Sequence, residues 1–320
     1  MKRLALLAGA GLLCLGLVAC GDKEAEPMSE AKVAQQTSDP AGAVEAVAAK
    51  LKDNDLLGAM QLMVPAAKLD EARAEWKASM NKEQPSEEDR AEFAANMAKL
   101  TAADAEQALF AELEPALVKF ETEMAAQMPM MIGMGQGFLM QGIQANEDMT
   151  ESQKQQGIEM INALGTWLQT VKLTDRELAK KGIAIAVATA RKIDLKTLDD
   201  LRALEFDQAM GKAGIAFGGL KDILALYGLD LNQTLGSIKA KVNSREGSAA
   251  TVGFSYSFLG KNLTGETQMV EQDGRWYGKD SFEQLVKGLA DEGSDETVVF
   301  DEEVDQEAAE EAAEEAVDAH

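Results

Sequence analysis

The pattern TVGFSYSF at residues 251–258 is the clearest strand signal in this chain. Small or polar residues alternate with large apolar ones, which is the two-residue period of a strand with one buried face. The turn sequences around it are Glu246-Gly247-Ser248, Gly260-Lys261-Asn262 and Asp273-Gly274. They predict an antiparallel meander. Its expected strands are 239–245, 249–258, 262–271 and 275–279.

One face of this meander has to be covered, because an isolated sheet with an apolar face is not stable in water. Val252, Phe254, Tyr256 and Phe258 share that face, and the helices that precede the sheet are the available cover. The sequence therefore predicts a helix-rich α+β body, a helical bundle packed on a small C-terminal antiparallel meander. The expected divisions are a leader at 1–19, a flexible tether at 20–38, a helical region at 39–238, the sheet with a last helix (Asp280-Ser281 through Leu289) at 239–290, and a tail at 291–320.

Start signals for helices recur through the helical region. Ser38-Asp39-Pro40 combines a capping residue with proline at the first helical position. The capping-box candidates are Ser86 with Asp89, Thr150 with Gln153, Thr174 with Glu177 and, less strongly, Thr101 with Asp104. Pro115 predicts a kink or break. Leu195 to Leu226 is expected to form one long helix or two stacked ones, with Gly211, Gly214, Gly218 and Gly219 permitting a close approach.

The first 20 residues are typical of a secretory signal. Lys2 and Arg3 precede an uncharged apolar run of about 15 residues, which is too short for a comfortable membrane span. The run Leu17-Val18-Ala19-Cys20 then resembles the lipobox of bacterial lipoproteins. That resemblance implies that Cys20 carries diacylglycerol and becomes the mature N-terminus. The alternative is an ordinary signal peptide with a chance cysteine, which would leave a free thiol.

The same resemblance implies a location. An aspartate directly after the cysteine signals retention in the inner membrane of Gram-negative bacteria, and this chain has Gly21 there, with Asp22 one place later. We therefore expect an anchor in the outer membrane, with the protein facing the periplasm. Two or three acyl chains would make that anchor durable, since each buried methylene contributes about 0.8 kcal/mol.

The chain is strongly acidic, with a formal net charge of −24. Residues 291–320 hold 14 acidic residues and no Lys or Arg, and glutamates recur four apart there, so we expect this tail to be largely disordered at neutral pH. The charge argues against nucleic acid as a partner, because the phosphates would be repelled. A cationic protein partner is compatible with it.

Catalytic residue types are scarce in the sequence. The one histidine is His320, and once Cys14 is removed with the leader and Cys20 is acylated, no thiol remains as a nucleophile. The run Gly133-Met134-Gly135-Gln136-Gly137 lacks the spacing of a dinucleotide fingerprint. We therefore expect a protein without enzymatic activity and without a cofactor.

A methionine-rich segment without charge runs from Met124 to Asn146. Thioethers can bind soft ions such as Cu(I), and Met124, Met128, Met131 and Met134 are the candidates for such a site. Met124, Met128 and Met131 would share one helical face. The pattern favours a plainer interpretation, in which methionine fills an irregular core; an adaptable groove for a protein partner is a third possibility.

Gly274-Arg275-Trp276-Tyr277 at the end of the meander resembles the final hairpin of the nuclear transport factor 2-like superfamily of cone-shaped α+β domains. Bacterial lipoproteins with such domains often have an early Ala-Val-x-Ala helix before an Asn-Asp turn, and Ala43-Val44-Glu45-Ala46 and Asn54-Asp55 are similar. The resemblance implies a cone used as a ligand pocket or as a protein-binding surface. It would require a large helical insertion at 66–238.

Together these observations predict a non-enzymatic, periplasm-facing lipoprotein that binds an envelope protein or a cationic protein, as an inhibitor or a scaffold. The alternative is a carrier of a small ligand or of Cu(I). That carrier would use the methionine segment or a pocket between sheet and helices lined by Phe254, Tyr256, Phe258 and Trp276. An empty, solvent-open pocket would favour the carrier, and a filled core would favour the binding protein.

Overall fold

In the computed structural model, which describes residues 27–82, 84–147 and 149–283, a series of helices precedes a four-stranded antiparallel sheet. The helices are α1 (Glu30–Gln36), α2 (Pro40–Lys52), α3 (Leu56–Met63), α4 (Ala66–Lys82), α5 (Glu87–Thr101), α6 (Ala105–Lys119), α7 (Met128–Ala145), α8 (Glu151–Thr170), α9 (Arg176–Ile193), α10 (Leu198–Arg202), α11 (Phe206–Leu226) and α12 (Leu231–Gly236). The strands are β1 (Lys239–Glu246), β2 (Ala249–Phe258), β3 (Lys261–Gln272) and β4 (Arg275–Gly278). The predicted helix-rich α+β fold is confirmed.

The chain divides into two units, Met1–Phe282 and Glu283–His320. The second lies outside the described residues apart from Glu283. The predicted acidic tail therefore lies outside them, as does most of the last helix, of which residues 279–283 are helical. The leader and Cys20 also lie outside the described residues.

The meander follows the order β1-β2-β3-β4, with each strand paired to the next in sequence. Strands β2 and β3 pair without interruption from Ala249 opposite Val270 to Phe258 opposite Lys261. The turn between them is one residue earlier than predicted, at Leu259-Gly260, and both residues have positive φ, 49° and 77°. A two-residue turn of this kind suits the twist of the hairpin. A branched Leu is uncommon in that conformation, and Leu259 packs against the core beside Tyr256 and Phe258.

Helices cover the apolar face of the sheet in two places, as predicted. Under α2, Ala43 packs with Val252 and Trp276. Under α8, Ala163 packs with Tyr256 and Phe258. A third cluster holds the helical region together, with Leu57 of α3, Leu69 of α4 and Phe206 of α11 in contact.

The tether predicted at 20–38 is wrong for its second half. Residues 30–36 form α1, in which Val33 is buried. Thr37 is also buried, and its carbonyl accepts a hydrogen bond of 2.8 Å from the backbone N–H of Trp276. This contact pairs a backbone group on the outer side of β4, an edge strand that would otherwise be open to other chains. The polar composition of these residues gave no helical signal, because α1 is stabilised by its tertiary contacts rather than by its own sequence.

Glycines on α11 allow a close approach to the turn between α2 and α3. A Cβ on Gly214 would lie 2.3 Å from the backbone oxygen of Asn54, and one on Gly218 would lie 2.5 Å from Asn54 Nδ2. Asn54 itself has a φ of 61°, which asparagine tolerates better than most residues. The predicted role of these two glycines is confirmed. The region Leu195 to Leu226 forms two helices, α10 and α11.

Several predicted helix starts are present and others need correction. Asp39 caps α2 with Pro40 at its first position, and capping boxes form at Ser86 with Asp89 and at Thr150 with Gln153. The box at Thr174 with Glu177 is wrong, because Asp175 caps α9 and its carboxylate accepts the N–H groups of Glu177 and Leu178.

Two further predictions of helix boundaries also fail. Thr101 is not a cap, since it ends α5 and its hydroxyl donates to the carbonyl of Met97. Of the kink or break expected at Pro115, the break is wrong, since α6 continues through that residue to Lys119. The helix becomes irregular only after Lys119, where Phe120–Met124 form one π-helical turn. Such a turn holds one residue more than an α-helical turn.

Candidate functional site

The four residues predicted to line a ligand pocket are packed in the core instead. Trp276 is 1% exposed and packs with Val252 and Ala43, under the guanidinium of Arg245, which lies 4.7 Å from the ring centroid. Tyr256 and Phe258 are buried in the second cluster under α8. Phe254 stacks on Tyr256, with ring centroids 6.1 Å apart. The predicted pocket is therefore a filled core, because α2 and α8 occupy the space over the sheet.

A hydrogen bond fixes helix α8 to the sheet, and a glycine in β3 lets the two come close. Gln156 donates a hydrogen bond of 3.0 Å to the hydroxyl of Tyr256. A Cβ on Gly265 would lie 2.3 Å from Gln156 Oε1 and 2.8 Å from the ring of Phe254, so glycine is needed for this approach. Helix α8 is thus a fixed part of the body, and α7 packs on its other side.

A cleft of about 310 Å³ lies next to this core rather than inside it. Its walls come from the C-terminal part of α8, from the start of α12 and from the turn between β2 and β3. The lining residues are Ala163, Thr166, Trp167, Thr170, Gly228, Asp230, Gln233, Thr234, Ser257, Leu259, Gly260 and Lys261. None of the four predicted pocket residues is among them.

The polar groups of this cleft largely serve the fold. The indole N–H of Trp167 donates to the carbonyl of Tyr227 at 2.7 Å. The carboxylate of Asp230 accepts the backbone N–H of Gln233 at 2.8 Å and caps α12. Thr170 donates to carbonyls of its own helix. The cleft is an open notch whose polar groups are mostly paired within the fold.

Helix α7 contacts α8 along one of its faces. Ile132 is buried there, and the Gln136 amide donates to the carbonyl of Ile161 at 3.3 Å. Two glycines of α8 make room for α7: a Cβ on Gly165 would lie 2.1 Å from Gln136 Nε2, and one on Gly157 would lie 2.7 Å from Ile143 Cδ1. The contact places two small residues of α8 under two side chains of α7.

The opposite face of α7 is apolar and open to solvent. Met130 is 63% exposed, Met134 69% and Phe138 78%, and Met131 is also exposed. We call these four residues the outer face of α7. The interpretation that the sequence favoured, methionine filling a core, is wrong for them. The reason is that α7 lies at the edge of the body, where α8 covers its opposite face.

The helical face predicted for a soft metal is interrupted. Met124 lies in the π-helical turn, and turn residues 125–127 separate it from Met128, the first residue of α7. Met124 is therefore not part of the α-helix that carries Met128 and Met131. Met131 and Met134 remain within one helix, both exposed. The three methionines thus do not share one continuous α-helix, and the soft-metal site stays a prediction.

The π-helical turn is fixed to the body by an ion pair. The two terminal guanidinium nitrogens of Arg176, Nη1 and Nη2, donate to the carboxylate of Glu121 from the start of α9. The Arg176 hydrogen bonds lower the pKa of Glu121 below its usual value. This pair holds the junction from which α7 departs, so the start of the outer face has a defined position.

Among the described residues, Lys221 is the one Lys, Arg, Asp or Glu that is buried, at 1% exposed. Its ammonium donates to the carbonyls of Leu51 at 3.0 Å and Lys52 at 2.7 Å, and it lies 5.0 Å from the ring centroid of Phe217. Burial lowers its pKa below the usual value. Because its donors satisfy the last carbonyls of α2, its role is structural.

Metal and membrane criteria give two further findings for the described part of the chain. It contains no group of three or more His, Cys, Asp or Glu side chains placed to hold a metal ion. None of its helices is both long and apolar enough to span a bilayer. Comparison with known protein families, with characterised proteins and with solved structures finds no match to this chain.

Sequence reasoning did not identify the outer face of α7 as a surface. Phe138 and Met130 were not singled out, although Met130, Met134 and Phe138 follow one another at four-residue steps. The available signal was the combination of that spacing with an absence of charge and with four glycines, Gly133, Gly135, Gly137 and Gly142, beside it. A core helix usually carries larger side chains at such positions.

Proposed function

We propose that this chain is a non-enzymatic, lipid-anchored protein of the bacterial envelope that binds another protein through the outer face of α7, as a scaffold does. The observation that carries the proposal is the exposure of Met130, Met134 and Phe138 on a helix without charge. Contiguous exposed apolar surface on a soluble body usually marks a contact site.

The composition of the outer face suits protein recognition. Methionine side chains are flexible and polarisable, and they adapt to the shape of an apolar partner. Covering one large apolar side chain contributes about 1.5–3 kcal/mol. Three such side chains at four-residue steps would therefore supply a useful part of a binding free energy.

The anchor in this proposal is Cys20, acylated and placed in the outer membrane facing the periplasm. It rests on the leader and on the run Leu17-Val18-Ala19-Cys20. Met28 is attached to the body, where its N–H donates to Gln61 Oε1 at 2.8 Å. The eight Cα–Cα steps from Cys20 to Met28 could span at most about 28 Å, so the body would stay close to the bilayer.

The absence of charge on α7 favours an apolar partner over a cationic one for this surface. Residues 128–145 contain no Lys, Arg, Asp or Glu, although the chain carries a net charge of −24. Apolar contacts are little affected by salt, whereas an acidic surface that binds a cationic protein loses affinity as salt rises. Inhibition of a cationic enzyme would therefore have to use other parts of the surface.

The alternative, a carrier of a small ligand or Cu(I), lacks the pocket predicted for it, because Tyr256, Phe258 and Trp276 are buried in packed clusters. The cleft beside Trp167 is the space that remains for a ligand. The resemblance to nuclear transport factor 2-like domains stays a proposal. In its favour, Ala43 of the early helix packs on Trp276 of the final hairpin.

The proposal is tested by cross-linking and affinity capture from bacterial envelopes that contain the full-length chain. The variant carries Met134→Glu and Phe138→Glu. A matched control carries Ser255→Glu and Thr251→Glu on the open face of β2, which adds the same charge away from α7. We expect capture of the bound protein to fall at least about tenfold in the α7 variant, since burying even one large apolar side chain exceeds 1.4 kcal/mol. Equal capture by both variants would refute the proposal.

A further inference from the structure

We propose that the protein bound at the outer face of α7 is a second copy of this chain, in an antiparallel pair whose two-fold axis passes beside Met134. This inference rests on the proposed function, because it names the partner of the same surface. It would make the protein a scaffold that assembles with itself in the envelope.

The first argument is the geometry of the outer face. Met130, Met134 and Phe138 form one ridge, with successive residues about 6 Å apart along the helix and about 40° apart around it. In an antiparallel pair centred on Met134, Met130 of one copy lies opposite Phe138 of the other. The same contact occurs twice, as a two-fold interface requires. A thioether against an aromatic ring is a favourable contact.

The second argument is the space beside the ridge. Gly133 and Gly137 lie on one side of it, and a Cβ at either would have no neighbour within 4 Å. On the other side, Gly135 lies between the exposed side chains of Met131 and Leu139. The ridge is therefore flanked by a shallow groove on the side of these two glycines. Helices pair by placing the ridge of one in the groove of the other, and small residues let the two backbones come close.

The third argument is charge. Two copies of a chain with a net charge of −24 repel each other, and that repulsion is weakest where the facing surfaces carry no charge. Helix α7 is such a surface, since residues 128–145 are uncharged. An anionic lipid surface is a poorer occupant, because it would repel the acidic body without offering a matching ridge.

The size of the contact fits a pair that needs the membrane. An 18-residue helix is about 27 Å long, so one α7 against another buries less than the roughly 1,200–2,000 Å² of a stable complex. Such a pair would be weak in dilute solution. Two anchored copies share one membrane plane, which raises their effective concentration without any new contact.

The experiment uses single cysteines in the full-length chain, oxidised to disulfides in isolated envelopes. At Met134→Cys the two thiols would face each other across the two-fold axis, and we expect disulfide-linked dimers on a non-reducing gel. At Met130→Cys the equivalent residues would be about 12 Å apart, which is beyond disulfide range. Met130→Cys alone should therefore give little dimer, whereas co-expression with Phe138→Cys should give a mixed dimer. Ser255→Cys on the open sheet face is the control for random collision.

Several results would overturn the inference. They are an absence of dimer at position 134, an equal yield at positions 130 and 134, and a yield no higher than at position 255. A disulfide from position 134 to a different protein would also overturn it, but would leave the proposed function standing. If no disulfide-linked product forms at position 134 and the variant with Met134→Glu and Phe138→Glu still captures a partner normally, both proposals are refuted.

A wild-type control and the salt dependence of the yield help to interpret the result. Dimers in the wild-type chain would report a free thiol at Cys20, which contradicts the anchor but not the pairing, and the comparison is then made with Cys20→Ser. The yield at position 134 should rise with salt, because salt screens the repulsion between acidic copies. A yield that falls as salt rises would indicate a cationic partner and count against self-pairing.

Discussion

The apolar row of β2 and the outer face of α7 have the same kind of pattern and opposite surroundings. Val252, Tyr256 and Phe258 follow the two-residue period of a strand and are buried under α2 and α8. Met130 and Phe138 follow a helical period equally well and are exposed to solvent. Periodicity thus predicts that an element has an apolar face, but it does not say whether the chain itself supplies the cover.

Residue type distinguishes the two regions better than spacing does. The strand carries aromatic and β-branched side chains, which lose little freedom when they are packed. The outer face of α7 carries methionine beside glycine, a combination that leaves grooves and flexible side chains. The sheet row is thus covered by fixed internal neighbours, whereas the α7 row has the composition that the proposed binding would use.

The largest expected difference between the regions is in stability. Trp276→Ala should lower the free energy of unfolding by about 3–5 kcal/mol, because it leaves a cavity between Val252 and Ala43. Phe138→Ala should change it by less than about 0.5 kcal/mol, since that side chain is 78% exposed. Urea unfolding at low protein concentration measures both. A loss of several kcal/mol at Phe138 would mean that the outer face is covered within the chain.

Glycine substitutions should have opposite signs in the two regions. Gly214→Ala should destabilise by about 1–3 kcal/mol, because the added Cβ would meet the backbone of Asn54. Gly135→Ala should stabilise by about 0.5–1 kcal/mol, because its Cβ would enter open space on a helix. Thermal unfolding of the two variants checks this. A gain at Gly214 or a clear loss at Gly135 would contradict the described packing of α11 and α7.

Lys221→Met should destabilise the body by about 1–3 kcal/mol, because the carbonyls of Leu51 and Lys52 lose their donor. Burial lowers the pKa of Lys221, so the unfolded chain binds more protons between the lowered value and the usual 10.5. The contribution of Lys221 to stability should therefore increase as pH rises through that range. Urea unfolding of both proteins at a series of alkaline pH values tests this, and a difference that shrinks as pH rises would contradict it.

The smallest effect concerns the start of α9. Asp175→Ala should cost about 1 kcal/mol, because its carboxylate accepts the N–H groups of Glu177 and Leu178. Thr174→Ala should cost only a few tenths, although the sequence favoured Thr174 as the cap. Circular dichroism during thermal unfolding can compare them. A larger loss of stability for Thr174→Ala than for Asp175→Ala would support Thr174 as the cap and contradict the structure.

Much of the fold was predictable because it depends on local chemistry. The hairpins follow from Gly247, Gly260 and Asp273-Gly274, and the helix starts at Pro40 and Glu151 follow from their caps. Predictions failed where two neighbours could serve the same role, as with Thr174 and Asp175. They also failed where tertiary contacts decided the outcome, as in α1.

The candidate site was less predictable than the fold. Its residues were recognised as an uncharged methionine segment, but whether that segment is inside or outside depends on where α8 places it. That position follows from Gly157 and Gly165, which accept Ile143 and Gln136 of α7. No local pattern in residues 124–146 carries this information, because the pairing partner lies elsewhere in the chain.

The central claim is that another protein covers the outer face of α7 in the envelope. Methionine oxidation by dilute peroxide, followed by mass spectrometry in intact envelopes, tests it directly, because exposed thioethers oxidise and covered ones are protected. We predict that Met134 oxidises slowly in the wild-type chain and at least about fivefold faster in Phe138→Glu, since loss of a ring that contacts the partner should release that partner. Met269, which is buried under the sheet, should stay slow in both proteins. Equal and rapid oxidation of Met134 in the two proteins would contradict the account.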